Sequence, residues 1–167
     1  MDNPILFSET QRFKQWWVWL LLIGINALML YGVFTQVVNG EPFGDKPASN
    51  GQLLTGAAIS LLVTIFVLSI RLDTQIKEDG IYVRFFPLQF SYRFFPWNSL
   101  FKCYVRTYNP IAEYGGWGLR LGLFGKGTAY NISGSAGLQL EFTDGKKLLI
   151  GTQKPQELSE VLNQFRL

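Results

Sequence analysis

Arg84 and Arg93 stand nine positions apart on either side of Pro87-Leu88-Gln89, and theirs is the spacing that most suggests a binding function. Both flanks alternate apolar with polar residues, Ile81 to Phe86 before the break and Phe90 to Phe95 after it, as strands of a hairpin do. With Leu88-Gln89 as a two-residue loop, Phe85 faces Tyr92, Val83 faces Phe94 and Arg84 faces Arg93. Like charges directly opposed destabilise a strand pair. Two guanidiniums side by side also form a fork suited to phosphate oxygens, so an anionic lipid headgroup is one candidate ligand. In the other reading both side chains splay into solvent or find Asp or Glu partners. A one-residue change in register dissolves the fork.

The remaining inventory is narrow. The chain has no His, the commonest general base and metal ligand. Its one Cys, Cys103, cannot form an internal disulfide or a Cys-cluster zinc site. Cys103 lies in the alternating run from Phe101 to Arg106 and reads as a small buried hydrophobe rather than a reactive thiol. Gly125-Lys126-Gly127 lacks the helix that a phosphate loop requires, and reads as a hairpin turn. Neither Ser133 nor Ser135 has a base next to it in sequence. The expectation is a non-enzymatic protein without cofactor or metal. Its other notable feature is Tyr114-Gly115-Gly116-Trp117-Gly118, close to Tyr108 and Glu113. Glycines there permit positive φ and close approach, so the segment reads as a shaped loop with aromatic walls. It is a candidate protein-contact surface, with a buried Trp117 under a Gly-rich bend as the competing reading.

Two stretches explain where such groups would sit. No charged side chain occurs from Gln15 to Gly40, and none from Pro47 to Ile70. A helix of about 20 apolar residues crosses the hydrocarbon of a bilayer. Spans at about 16–38 and 53–70 therefore form a two-helix transmembrane hairpin within residues 1–72. Phe13, Trp16, Trp17 and Trp19 supply an interfacial aromatic belt, with Arg12 and Lys14 outside it. The connection carries Lys46 against Glu41 and Asp45. The Lys/Arg excess falls on the N-terminal tail and after the second span, which places the N-terminus and the C-terminal domain in the cytoplasm. Gly56, Ser60 and Thr64 form a small-residue stripe on the second helix. Asn26, the strongly polar residue of the first, lies at the depth of Ser60 and is expected to face Ser60 or Thr64 as packing glue.

Residues 1–70 hold three Lys/Arg and four Asp/Glu; residues 71–167 hold twelve and eight. The basic balance suits a domain held against an anionic leaflet, and no nucleic-acid motif accompanies it. Segment 73–167 alternates. Strands are expected at Thr74–Lys77, 81–86, 90–95, Leu100–Tyr108, Gly118–Leu123, Thr128–Ile132, Gly137–Thr143 and Lys147–Gly151, the last two joined by the turn signal Asp144-Gly145. Pro155 suits a first helical position, and Leu158, Val161, Leu162 and Phe165 recur with helical period.

The fold class is therefore α+β: a transmembrane hairpin, then a small antiparallel β-barrel of about seven strands capped by a C-terminal amphipathic helix. Asp79-Gly80-Ile81-Tyr82-Val83-Arg84, then Pro96-Trp97, then Ile150-Gly151-Thr152-Gln153-Lys154-Pro155 resemble the bacterial membrane-anchored pleckstrin-homology-like (PH-like) proteins. Tyr108 to Gly118 resembles one uncharacterised branch of that family. The resemblance implies a PH-like barrel and an inner-membrane address, and no established activity. The expected role is a protein-docking or self-assembly scaffold at the membrane surface, with a protein partner or homo-oligomer. Headgroup recognition by the barrel is the alternative, and a subunit of a membrane enzyme or transporter complex a more distant one.

Overall fold

The computed structural model describes residues 3–122 and 125–165 and divides the chain into two compact units. One is Lys14–Ser69; the other joins Met1–Phe13 to Ile70–Leu167.

The Lys14–Ser69 unit is a helical hairpin. Helix α1 (Trp16–Val33) widens at its end into a π-helical stretch, Phe34–Val38, and α2 runs over Asn50–Ser69. Both helices are long and apolar enough to cross a membrane, with mean hydropathy 2.0 over Trp16–Val38 and again over Asn50–Ser69. They are apolar on every side: Leu20, Ile23 and Leu28 of α1 and Ile59, Leu62 and Ile65 of α2 are exposed. That pattern suits a helix solvated by hydrocarbon rather than water. The connection is tied by Gln36, whose amide donates to the Ala48 carbonyl at 2.7 Å and to Asn50 Oδ1 at 2.8 Å. Phe43 folds back over Gly32, where any β-carbon would strike its ring.

Among its described residues the second unit has nine strands in two sheets. Strands β1 (Ile5–Arg12), β2 (Arg71–Lys77), β3 (Gly80–Phe86) and β4 (Arg93–Pro96) form the first, in sequence order and antiparallel. Strands β5 (Leu100–Thr107), β6 (Gly118–Leu121), β7 (Thr128–Asn131), β8 (Ala136–Phe142) and β9 (Lys147–Gly151) form the second, in the order β5-β8-β9-β7-β6. All its pairs are antiparallel except β7–β9. Among the described residues the sheets remain two, and no closed barrel forms. The short helix α3 (Pro110–Tyr114) follows β5, and α4 (Pro155–Leu162) closes the chain with Leu158, Val161 and Leu162 buried. One core joins both sheets and α4, with Phe7, Leu72, Ile76, Ile81, Val83, Leu138, Leu140 and Ile150 all at 2% exposure or less.

Strand β1 departs from the expectation that residues 1–72 belong wholly to the hairpin. Its side chains alternate out and in, with Phe7, Glu9 and Gln11 buried. It pairs with β2 from Ile5↔Lys77 to Arg12↔Arg71, across the whole hairpin insertion. Glu9 and Gln11 also bind the second sheet's end. Glu9 accepts from Thr152 Oγ1 and from the Gln153 amide, both at 2.7 Å, and Gln11 donates to the Gly151 carbonyl. The Glu9 carboxylate thus enters the interior with hydrogen-bond donors, which its burial requires. The expected strand end at Leu123 lies outside the described residues. Gly80 shows why a glycine opens β3: with φ at 155° a β-carbon would collide with the Phe95 carbonyl across the β3–β4 pair.

Because Arg12 and Arg71 are paired, residues 14–69 can be exchanged for a short Asn-Gly turn. The expected product is a water-soluble domain that melts cooperatively by circular dichroism. Adding Phe7→Ala to it should lower stability by about 3–5 kcal/mol in a urea titration. Deleting residues 3–12 from it should abolish the transition.

Candidate functional site

The structure separates the two arginines. The β3–β4 pairs are Ile81↔Phe95, Tyr82↔Phe94 and Val83↔Arg93, one residue out from the two-residue-loop register. The cause is the wider connection: β3 ends at Phe86 and β4 starts only at Arg93, and Gln89 folds back to donate its amide to the Phe85 carbonyl at 2.8 Å. Since a one-residue slip reverses every side chain, Arg84 and Arg93 point to opposite faces and form no fork.

Arg84 instead finds an acid. It lies opposite Asp73 and donates Nε and Nη2 to Asp73 Oδ2 at 3.0 and 2.6 Å. Arg71 adds a contact at 3.3 Å, and Thr10 donates to the other oxygen at 2.8 Å. The guanidinium also stacks over Tyr92 at 4.6 Å. Hydrogen bonding to Asp73 holds the Arg84 pKa above its ordinary value. Arg93 donates to the Tyr130 hydroxyl at 2.6 Å.

The Tyr114–Gly118 segment is a helix terminus. Asn109 caps α3 by accepting from the amides of Ile111 and Ala112, Pro110 occupies the first turn, and Gly115 ends the helix at φ 70°. Tyr114 is buried at 2% exposure against Tyr108, Ala129 and Leu149. Trp117 is half-buried, its indole N–H directed at the Gly134 carbonyl at 3.4 Å. Beside them Arg106 grips Glu113 with two donors, at 2.8 and 3.2 Å. That hydrogen bonding holds the Glu113 carboxyl below the usual carboxylate range and raises Arg106. The arrangement braces the loop on β5.

In the helical hairpin Asn26 lies between its two expected partners. Its amide donates to Thr64 Oγ1 at 2.7 Å, and Ser60 Oγ donates to Asn26 Oδ1 at 2.9 Å. Gly56 meets Met29, whose sulfur would lie 3.8 Å from an added β-carbon.

Among the described residues no group of three His, Cys, Asp or Glu is placed to hold a metal ion. Burial pushes the Cys103 thiol up to about 12, so it stays protonated at neutral pH.

The surface feature absent from the reading of single motifs is the β5 edge. Among the described residues strand β5 pairs with β8 alone. The Tyr108 amide donates to Ser135 across that pair at 2.8 Å. Backbone groups alternate sides along an antiparallel strand, so those of Cys103, Val105 and Thr107 point away from β8. Along this side runs a groove of about 330 Å³ between β5 and α4, lined by Cys103, Tyr104, Val105, Leu162, Asn163 and Phe165. Phe101 and Tyr104 stand exposed on the strand at 66% and 39%. A sequence announces a strand by alternation, but which strands close a sheet depends on long-range pairing.

No family model matches the chain, and no curated protein or solved structure matches it.

Two outcomes follow. Asn26→Ala should destabilise the hairpin by about 0.6 kcal/mol, up to about 1.7, read by steric trapping in bicelles. Cys103 alkylation by iodoacetamide at pH 8 should run about a hundredfold or more slower than that of a free cysteine, because only the thiolate reacts.

Proposed function

We propose that this chain is a non-catalytic integral membrane protein whose PH-like domain docks an extended segment of a partner protein at the cytoplasmic membrane surface. The observation that carries the reading is the unpaired β5 edge beside α4. An edge strand offers a row of free N–H and C=O groups to an incoming strand, and adjacent pockets select its side chains. Here the outward backbone groups of Cys103 and Val105 lie along a groove with Leu162 and Phe165 on its far wall. Natural proteins usually blunt such edges; this one carries exposed Phe101 and Tyr104.

Topology supports the address. Strand β1 precedes the first apolar helix, and its partner β2 follows the second. Paired strands share one side of a membrane, so the segment between them crosses an even number of times. With two candidate spans that favours a hairpin with both the N-terminus and the domain on one face. The Lys/Arg bias assigns that face to the cytoplasm, in keeping with the bacterial inner-membrane resemblance. The PH-like assignment draws on two packed antiparallel-rich sheets with a helix against their core, in the order the resemblance implies. The absence of His in the chain and the protonated Cys103 fit a binding role better than catalysis.

The test places a photo-cross-linking phenylalanine analogue at Tyr104 of the full chain in its native membranes. A discrete adduct is expected that disappears in Val105→Pro, which removes a free-edge donor while sparing the β5–β8 ladder. An adduct unchanged by Val105→Pro, or equally strong from position Lys146, would overturn strand docking. An adduct with a second copy of the chain would turn the reading to self-assembly.

A further inference from the structure

A second concavity lies apart from the β5 groove, at the opening between β4 and the β7–β9 side of the second sheet. It encloses about 320 Å³. Phe95, Phe142 and Leu148 wall it, with the two phenyl rings 5.4 Å apart and Leu148 at 5% exposure. Its polar side chains are Arg93, Lys146, Lys147 and the hydroxyls of Thr128 and Tyr130. No carboxylate belongs to the lining among the described residues.

The balance of partners leaves this site short of acceptors. Tyr130 is buried at 1% exposure, and its oxygen already accepts from Arg93 Nη1 at 2.6 Å and from Gln89 Nε2 at 2.9 Å. A phenolic oxygen that accepts two hydrogen bonds still has its own proton to place, and no acceptor takes it among the described residues. The orientation of the Gln89 amide is set by the Phe85 N–H, which approaches Gln89 Oε1 at 3.4 Å. Arg93 has no carboxylate partner among the described residues; Tyr130 takes one of its five donors. Lys146 is matched by Asp144 at 2.7 Å and adds little. Lys147 reaches Glu141 only at 3.9 Å. Two cations and a buried hydroxyl thus face an apolar-walled cavity without an anion to receive them.

The geometry points to a binding site for an anionic amphiphile: a carboxylate or phosphate oxygen held by Arg93, Lys147 and Tyr130, with a short apolar body against Phe95, Phe142 and Leu148. Hydrogen bonds from cations are strongest to an acceptor that is itself charged, and the apolar walls reward removal of hydrocarbon from water. The site shares only Arg93 with the arginine fork expected from sequence, and it stands whether or not β5 docks a partner.

The test uses the full chain in phosphatidylcholine nanodiscs and follows the ¹³C-labelled methyl signals of Leu148. Hexanoate should shift them saturably. Arg93→Gln combined with Lys147→Gln should weaken that binding at least tenfold, and Tyr130→Phe several-fold. Methyl signals of Leu158 and Leu162, distant in the core, show that each variant remains folded; if Arg93→Gln perturbs them, Lys147→Glu alone carries the comparison. No saturable shift, or hexanol binding as tightly as hexanoate, would overturn the proposal. Inorganic phosphate binding as tightly as hexanoate would overturn the amphiphile and leave a bare anion site. Nanodiscs containing phosphatidylglycerol separate the sources. Weakened hexanoate binding there, with Leu148 already shifted, identifies a membrane lipid as occupant, and unchanged binding identifies a soluble acid; both sustain the site.

Discussion

The pairing of β1 with β2 is the constraint on which the rest of the structure rests. These neighbours in one sheet are separated in the chain by two apolar helices, so the ladder from Ile5↔Lys77 to Arg12↔Arg71 closes a loop of 58 residues. Loop closure costs entropy only logarithmically with length, and the helices contribute their own order. The return comes from burial: Phe7 completes the core shared by both sheets, and Glu9 and Gln11 bridge to Gly151, Thr152 and Gln153. Without β1 the β2 edge would open, and the sheets would lose the hydrogen bonds of Glu9 and Gln11 that add to their shared core. The β-rich unit is thus discontinuous in sequence, and its folding is coupled to the path of the apolar segment inserted between β1 and β2.

Charge placement follows the same logic of satisfying what is covered. Asp73 lies on the outer face of the first sheet yet is only 5% exposed, because Arg71, Arg84 and Thr10 close over it. Glu113 is treated likewise by Arg106. Such pairs are weak as sources of stability but costly to leave half-made. The Asp73 pair absorbs Arg84, one of the two arginines whose spacing looks most like a binding fork, and leaves Arg93 facing a cavity. Exposed apolar area is distributed unevenly as well. It covers the two helices on all sides, and in the other unit it includes Phe101 and Tyr104 on the β5 edge.

Legibility from the sequence varied with the range of the interaction. The apolar helices were plain, because charge-free length is a local property. Strands β2 to β9 and α4 were visible within a few residues, because alternation, Asp144-Gly145 and Pro155 act locally. The Asn26 position relative to Ser60 and Thr64 followed from counting turns in an antiparallel helix pair. Strand β1 is not legible: eight residues beside a long apolar run resemble a flanking tail, and their partner lies beyond both helices. Helix α3 was hidden within a Gly-rich segment, although Asn109-Pro110 is a cap signal. The Arg84–Arg93 fork failed at its weakest step, since loop length sets register and Pro87 to Tyr92 forms a broader connection than two residues.

What the sequence by itself determined, then, is composition along the chain: two helices able to cross a membrane, a β-rich basic segment, and no His for catalysis or metal binding. These follow from hydrophobicity, periodicity and residue inventory, which need no partner. Only the tertiary structure decided which strands are edges, that β7 and β9 run parallel, and that the strands form two sheets. It alone separated Arg84 from Arg93 and brought Tyr130, Arg93 and Lys147 to one cavity. Those outcomes turn on pairings between distant segments, where a shift of one residue reverses the face a side chain presents.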